Sequence, residues 1–135
     1  MIETTIIKVH GYHLDLYGHV NNTRYLEFLE EARWNIKEKY FDFPEVHEQG
    51  FGFVVVHTSI NYRNPASLGD TLEIRTNVLR IGNKSATFRH EIYLQGTTKL
   101  IADAEVTFVI VNLATGKAIS ITGEWRAKLD LLQNN

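Results

Sequence analysis

A chain of 135 residues predicts one domain, long enough to bury about two thirds of the surface that its unfolded form exposes. It contains no cysteine, which excludes a cysteine nucleophile and a cysteine-based zinc site. Its net charge of -2, with acidic and basic residues interspersed, argues against a broad nucleic-acid-binding surface. The first residues lack the pattern of a signal peptide, and no apolar run approaches the ~20 residues that span a bilayer. We therefore expect a soluble, cytoplasmic, single-domain protein over residues 1–135.

The first 40 residues predict one strand and one long helix. The strand is expected over residues 4–12, and a polar loop follows over 13–21. Asn22 or Thr23 is expected to cap a helix over 23–40, because a short polar side chain can accept from the free N–H groups of the first turn. The apolar residues of this segment recur at the spacing of a helix: Tyr25, Leu26, Phe28, Leu29, Ala32, Ile36 and Tyr40.

The rest of the chain changes to the two-residue period of strands. A connector is expected over residues 41–50. Beyond it, β-rich and alternating apolar residues predict four or five strands, with the clearest runs at residues 51–62, 72–78, 86–94 and 100–110. Trp125, Leu129 and Leu132 would share one side of a short last helix over 124–132. One apolar helix and one largely one-faced sheet can bury their surfaces only against each other. The sequence thus predicts an α+β domain in which an antiparallel sheet wraps around a central helix.

The polar loop before the long helix is the strongest candidate for a functional site. It places the Asp15 carboxylate and the His19 imidazole beside the positive end of the helix, with Gly18 between them to allow a tight turn. Such an arrangement can activate water and polarise a carbonyl group. The alternative is that Asp15 is a turn residue whose carboxylate accepts from nearby backbone N–H groups.

This loop and helix also resemble a known family. The pattern Asp-x-x-Gly-His-Val-Asn-Asn-x-x-Tyr-Leu at residues 15–26, followed by Phe-Leu-Glu-x-Ala-Arg at 28–33, is similar to the signature of the 4-hydroxybenzoyl-CoA thioesterase-like hotdog family. Residues 11–15, 59–66 and 84–85 resemble its long-chain acyl-CoA thioesterase branch, the FadM type. The resemblance covers about residues 4–130. It implies a hotdog fold, protomers paired through their sheets, active sites at the pair interface, and hydrolysis of a medium- to long-chain acyl-CoA.

The resemblance assigns roles to the loop. The family's catalytic carboxylate corresponds to Asp15, which would act either as a base toward water or as a nucleophile. The oxyanion donor corresponds to a backbone N–H around Asn22 to Tyr25. From the residues themselves, His19 would orient substrate, share a proton with Asp15 or simply fill the loop. Asn22 and Tyr25 have alternative interpretations as a helix cap and a core aromatic residue. A related branch has His where this chain has Asn22, so no role for a histidine carries over to that position.

Other residues are candidates for binding the substrate. Phe53, Val55 and His57 would line an acyl channel, although a β-rich run of this kind more often belongs to the core. Arg63 and Lys84, next to Ser85, would meet the phosphates of coenzyme A, or would be ordinary surface cations. We expect no cofactor and no catalytic metal, because the chain has no nucleotide-binding glycine motif and its histidines lack ligand spacing.

Several alternatives stay open at this stage. The substrate carrier could be acyl-carrier protein rather than coenzyme A, since plant-type thioesterases for that carrier have Asp and His at the places of Asp15 and His19. They have Asn where this chain has Tyr17. The same fold also carries hydratases and non-catalytic acyl-CoA-binding proteins. We expect a homodimer, and the pattern does not decide whether two dimers join into a tetramer.

Overall fold

The computed structural model describes residues 2–133 and contains the two structural layers that the sequence predicts. The strands are β1 Glu3–Lys8, β2 Phe51–Tyr62, β3 Thr71–Ile81, β4 Ser85–Leu94, β5 Leu100–Asn112 and β6 Lys117–Ala118. The helices are α1 Asn22–Tyr40, α2 Phe43–Glu48 and α3 Gly123–Leu132, and a short 3-10 turn spans Gly11–His13. The α+β prediction is confirmed, including the long helix and the four main strands.

The strands form one antiparallel sheet in the order β1-β3-β4-β5-β2, with β6 paired to β5. The central strands are in register across the sheet, so that Val78 faces Phe88, Phe88 faces Val106 and Val106 faces Thr58. Since side chains alternate along a strand, this register puts the apolar residues of β3, β4 and β5 on one side. It also leaves β1 and β2 as the two edges of the sheet.

Helix α1 lies against the apolar side of the sheet. Its buried face, with Leu29 and Ala32 at its centre, packs on Leu72, Ile74 and Ile92. A second cluster joins the C-terminal half of α1 to α3 and the other end of the sheet. Complete burial of one Leu or Ile side chain stabilises a fold by roughly 1.5–3 kcal/mol, so these clusters hold α1 firmly against the sheet. The start of α1 therefore has a fixed position relative to the sheet.

A polar group also lies inside this core. His90 of β4 is fully buried, and Arg33 of α1 is only 8% exposed. The Arg33 Nη1 atom lies 3.3 Å from His90 Nε2, and Thr76 Oγ1 lies 2.8 Å from His90 Nδ1. A guanidinium only donates hydrogen bonds, so Nε2 is the acceptor and Nδ1 carries the proton that it donates to Thr76. No local pattern in the sequence predicts this cluster.

Two element boundaries differ from the predictions. The first strand ends at Lys8 rather than at residue 12, because the chain turns into the 3-10 turn Gly11–His13. The cap of α1 is Asn21, not Asn22 or Thr23: its Oδ1 accepts from the Thr23 N–H at 3.0 Å, and its backbone is extended. Three cap-type residues stand in a row here, and only the path of the loop decides which one leaves the helical conformation.

The predicted connector contains a helix. Helix α2 begins after Asp42, whose Oδ1 accepts from the Glu45 N–H at 3.2 Å, and Pro44 lies in its first turn, where its missing N–H costs nothing. Val46 is buried against the rest of the core. The sequence predicts only a connector over 41–50 and does not reveal this helix, because six residues are too few to display a helical period.

None of the helices within residues 2–133 is both long and apolar enough to cross a lipid bilayer.

Candidate active site

The loop before α1 is held by the Asp15 carboxylate. Asp15 Oδ1 accepts from the backbone N–H of Tyr17 at 2.8 Å and of His19 at 3.3 Å. The Asp15 N–H in turn donates to the His19 carbonyl at 2.8 Å, and Gly18 takes a φ of 77°, which favours glycine. Within residues 2–133, Asp15 Oδ2 receives no hydrogen bond. One oxygen therefore holds the turn, and the other is available for chemistry.

The first turn of α1 leaves one backbone donor unused. The Thr23 N–H is taken by the Asn21 cap, and the Arg24 N–H donates to the Asn21 carbonyl at 2.9 Å. The Asn22 N–H, next to the cap, has no acceptor in the described part of the chain. A free N–H at the positive end of a helix suits a developing negative charge on oxygen. The predicted range of oxyanion donors, 22–25, thus narrows to Asn22.

The carboxylate and this helix start face one open cavity of about 340 Å³, which we call the Asp15 cavity. Its wall is formed by the loop, the first turn of α1 and the residues after β2: Asp15, His19, Val20, Asn22, Tyr25, Tyr62, Arg63, Asn64 and Pro65. The structure thereby brings together all four residues that the sequence predicts as catalytic, and Arg63 with them. The cavity is open to solvent, so a ligand and a water molecule can both reach Asp15.

Two tyrosines form the inner wall of the Asp15 cavity. Tyr25 is buried, its ring lies 5.7 Å from that of Tyr62, and burial raises its pKa to about 12, an effect that the nearby Ala66 backbone only partly offsets. Tyr25 is therefore a neutral phenol across the physiological range. Tyr62 Oη donates to the Asn22 carbonyl at 3.1 Å and so ties the end of β2 to the helix start. Tyr62 was not singled out from the sequence, although it lies within the family-like run at 59–66.

Arg63 carries the positive charge of this cavity. Its Nε donates to Asp103 Oδ2 at 2.9 Å, and about half of the Arg63 side chain stays exposed. Burial disfavours the Asp103 carboxylate, but hydrogen bonds from Arg63 and Asn61 outweigh burial and lower the pKa of Asp103. The pair keeps the guanidinium at the cavity wall, with donors left for an anion.

Of the remaining predicted residues, Gly18 lies in the Asp15 loop itself, where its N–H donates to the Asp15 carbonyl at 3.1 Å. His57 is exposed on the edge strand β2. Lys84 and Ser85 lie at the turn between β3 and β4, where Ser85 faces Val109 of β5. The Asp15 cavity is near the other end of β5, roughly 25 Å away along the strand. One protomer therefore does not bring His57, Lys84 or Ser85 to the Asp15 cavity.

Phe53 and Val55 line a second cavity of about 20 Å³, which we call the Arg33 cavity. It lies further along α1 and is lined by Arg33, Lys37, Phe41, Phe53, Val55, Phe88, Phe108 and Leu129. Both cavities lie between α1 and β2, the Asp15 cavity at Tyr25 and Tyr62 and the Arg33 cavity at Lys37 and Phe53. The walls of the Arg33 cavity are mostly apolar, as expected of an acyl channel or of core.

The chain is similar to known proteins over most of its length. Residues 9–129 match the family model of the thioesterase-like superfamily. The chain is 48% identical over 126 residues to the long-chain acyl-CoA thioesterase FadM of Escherichia coli K12, a match that covers 93% of this chain and 96% of that protein. It is 31% identical over 124 residues to the acyl-CoA thioesterase YbgC of Haemophilus influenzae, covering 90% and 89% of the two chains.

A solved structure agrees with these sequence matches. The crystal structure of YbaW, a probable thioesterase from Escherichia coli, superposes with a TM-score of 0.88 at 46% identity, covering 97% of this chain and 98% of that one. The antiparallel sheet around a central helix is thus the hotdog fold that the resemblance implied. The chain belongs to the thioesterase-like superfamily.

Proposed function

We propose that this protein is an acyl-CoA thioesterase, which hydrolyses medium- to long-chain fatty acyl-CoA to the free fatty acid and coenzyme A. The relatives named above are acyl-CoA thioesterases, and FadM is named for long-chain substrates. The observation that carries the proposal is that Asp15 and Asn22, whose N–H has no acceptor in the described part of the chain, line the same open cavity. Localisation in the cytoplasm stays a prediction from the sequence.

The chemistry needs only these two groups and water. The thioester carbonyl oxygen accepts from the Asn22 N–H, which stabilises the negative charge as the carbonyl carbon becomes tetrahedral; one such donor contributes on the order of 3 kcal/mol. Asp15 either takes a proton from the attacking water or attacks the carbon itself to give an anhydride that water then opens. In both routes the C–S bond breaks, and coenzyme A leaves as a thiolate that takes up a proton.

The other residues of the Asp15 cavity position the substrate. His19 is joined to Asp15 through its backbone N–H and lines the cavity, so its imidazole would orient the thioester or exchange a proton with Asp15. Tyr25 supplies a neutral wall with a hydroxyl donor. Arg63 offers its guanidinium to the phosphates of coenzyme A, which accept two-pronged hydrogen bonds from arginine.

We further propose that two protomers pair through their β2 strands. The outer edge of β2 has no neighbouring strand within residues 2–133, and the side chains of Val54, Val55 and Val56 are 43%, 46% and 56% exposed. A long, apolar, unpaired edge is a template for another strand, and monomeric proteins normally protect it. A homodimer covers these valines and closes the gap between α1 and β2 beside both cavities.

The proposed dimer also bears on the predicted substrate-binding residues that lie outside the Asp15 cavity. His57, Lys84 and Ser85 stay predictions; they would contribute to the site from the partner subunit or not at all. Phe53 and Val55 would line the path of the acyl chain beyond the Asp15 cavity. Whether two dimers assemble into a tetramer stays a prediction too.

The decisive experiment is the variant Asp15→Asn, assayed by thiol release over a series of acyl-CoA chain lengths. The amide oxygen of the introduced asparagine can still accept from Tyr17 and His19, so the loop should keep its shape while the charge is lost. We expect turnover to fall by about 100- to 10,000-fold, the scale of a lost acid–base group. Circular dichroism and urea unfolding should show an intact fold.

Asp42→Asn is the matched control. Asp42 caps α2 away from the Asp15 cavity, and asparagine caps a helix as well as aspartate does, so D42N should retain full activity. Turnover of D15N within a few-fold of the wild type would reject Asp15 as the reacting group. If the wild type binds acyl-CoA tightly but releases no thiol, the protein is an acyl-CoA-binding protein rather than an enzyme. If it hydrolyses only acyl groups carried by acyl-carrier protein, that carrier replaces coenzyme A as the substrate's carrier.

A further inference from the structure

Two cations line the Arg33 cavity, and neither has a counter-ion among residues 2–133. Arg33 is 8% exposed, and its only hydrogen-bond partner in the described chain is the neutral His90 ring, at 3.3 Å from Nη1. Lys37, one turn later on α1, has no ion pair or hydrogen bond within residues 2–133. Its Nζ lies 4.8 to 5.7 Å from the ring centres of Trp34, Phe43 and Phe53.

This arrangement of cations destabilises an isolated protomer. Burial lowers the pKa of Arg33, and burial together with the charge of Arg33 lowers the pKa of Lys37, so both groups are less readily charged than in water. A buried charge without a partner destabilises a fold. The Arg33 cavity itself, at about 20 Å³, has room for about one water molecule, and none of the residues lining it is acidic. An anion from outside the protomer is the simplest group that would neutralise Arg33 and Lys37 at this cavity.

One carboxylate on the same helix is suitably exposed. Glu30 precedes Arg33 by three positions and Lys37 by seven, so the three side chains follow one stripe of α1. Its charge favours the charged forms of both cations, yet it forms an ion pair with neither. Glu30 is exposed, and its hydrogen-bond partner is the indole N–H of Trp34, at 3.3 Å. It thus projects outward beside two cations that lack an anion.

We propose that a second copy of this chain supplies the anion, with Glu30 of the partner subunit approaching Arg33 and Lys37 and closing the Arg33 cavity. In a twofold interface, residue i meets residue j and residue j meets residue i, so each dimer contains the contact twice. Two antiparallel α1 helices that match Glu30 with Arg33 and Lys37 have their twofold axis near Ala32 and Arg33. Only in this antiparallel orientation does Glu30 of each helix meet the two cations of the other helix.

The edge strand selects the same axis independently. Antiparallel pairing of two β2 strands over their exposed valines centres the axis on Val55. Val55 and Phe53 line the same cavity as Arg33 and Lys37. The strand and the helix therefore place the twofold axis at one point of the protomer. The inference rests on the homodimer proposed above and adds the ion pairs that fix its register.

A charge swap tests the ion pairs. Sedimentation equilibrium would measure the dimer dissociation constant of the full chain for the wild type, E30K, K37E and the double variant E30K/K37E. Each single variant places like charges together twice per dimer, so its dissociation constant should rise by about tenfold or more. The double variant restores opposite charges between positions 30 and 37 but leaves two cations together at positions 30 and 33. Its dissociation constant should therefore be at least about threefold lower than that of E30K without reaching the wild-type value. Arg33 is left unchanged because it is part of the buried His90 cluster.

Glu31→Lys is the matched control, since Glu31 is the next residue of α1, exposed, and about 100° around the helix from Glu30. E31K should leave the dissociation constant unchanged. Equal effects of E30K and E31K, or no recovery in the double variant, would overturn the ion pairs while leaving the dimer and the thioesterase activity standing. A K37E variant that dimerises normally but loses activity would show that the anion belongs to a ligand, and would overturn the proposal too. A monomeric wild type would reject the pairing itself.

Discussion

The two oxygen atoms of Asp15 have different surroundings. Oδ1 accepts two backbone N–H groups and holds the loop, while Oδ2 faces no donor within residues 2–133. From the sequence, a turn residue and a reacting carboxylate are competing interpretations of this aspartate. The geometry makes them compatible, because the loop that orients the reacting oxygen is itself held by the other oxygen. This is why asparagine, which keeps Oδ1, is the informative substitution.

At the same scale, His90 predicts a pH dependence of stability. Burial, with a further contribution from the Arg33 charge, lowers the pKa of His90 from 6.5 to about 3. Between these values the unfolded chain binds a proton that the folded protein does not, so stability falls as the pH drops through this window, by up to about 1.4 kcal/mol per pH unit. His90→Gln keeps an acceptor for Arg33 and a donor for Thr76 but does not titrate.

Urea unfolding at a series of pH values from 7 to 4 checks this prediction. The free energy of unfolding of H90Q should be lower than that of the wild type at pH 7, because glutamine packs less well. As the pH falls, the free energy of unfolding of H90Q should decrease less steeply than that of the wild type. The difference in slope should correspond to about one proton taken up on unfolding. Parallel curves for the two proteins would mean that His90 is not the group that takes up the proton on unfolding.

At the scale of elements, the start of α1 connects loop, cap and site. Asn21 caps the helix, and the next residue presents the free N–H to the Asp15 cavity. Asn21→Ala should lower the free energy of unfolding by about 1 kcal/mol, the usual cost of a lost cap. Turnover should fall as well, because the first turn no longer holds the Asn22 N–H in place. Urea unfolding and the thiol-release assay measure the two effects.

Asn21→Ser is the control, because serine is an equally good cap. It should restore most of the stability and the turnover. If N21A lost stability but kept full turnover, the Asn22 N–H would not need the cap for its alignment, and its role as oxyanion donor would lose support.

The elements also show which local signals are reliable. The strands β3, β4 and β5 follow directly from alternation, because a sheet with one buried face imposes its period on ten or more residues. The position of the cap among Asn21, Asn22 and Thr23 does not follow from the sequence, since all three residues are of types that favour a cap. Helix α2 was missed for a related reason: its signals, Asp42, Pro44 and Val46, occupy a single turn.

At the scale of the whole molecule, the exposed edge of β2 is the most consequential feature. Val54→Lys would place a charge in the middle of the proposed interface, where pairing removes it from water. We expect the dimer dissociation constant to rise by about 100-fold or more, which corresponds to an unpaired buried charge. Thioesterase activity should fall with the dimer, because both cavities border the interface. Sedimentation equilibrium and thiol release, compared over a range of protein concentrations, check both expectations.

Leu131→Lys provides the comparison, since Leu131 is an exposed apolar residue of α3 rather than of β2. L131K should be dimeric and active. A V54K protein that is monomeric but fully active would contradict a site that depends on the pair.

The sequence by itself determined the two layers and the candidate loop. Periods of two and 3.6 residues are local properties, and the Asp15-to-Tyr25 segment carries its pattern within a few turns of chain. Only the tertiary structure decided which distant residues belong to that loop: it brought Tyr62 and Arg63 to Asp15, left Lys84 and Ser85 at the other end of β5, and buried Arg33 against His90. The physical reason is that strand order and register set these distances, and both arise from burying the whole apolar surface at once rather than from any short segment.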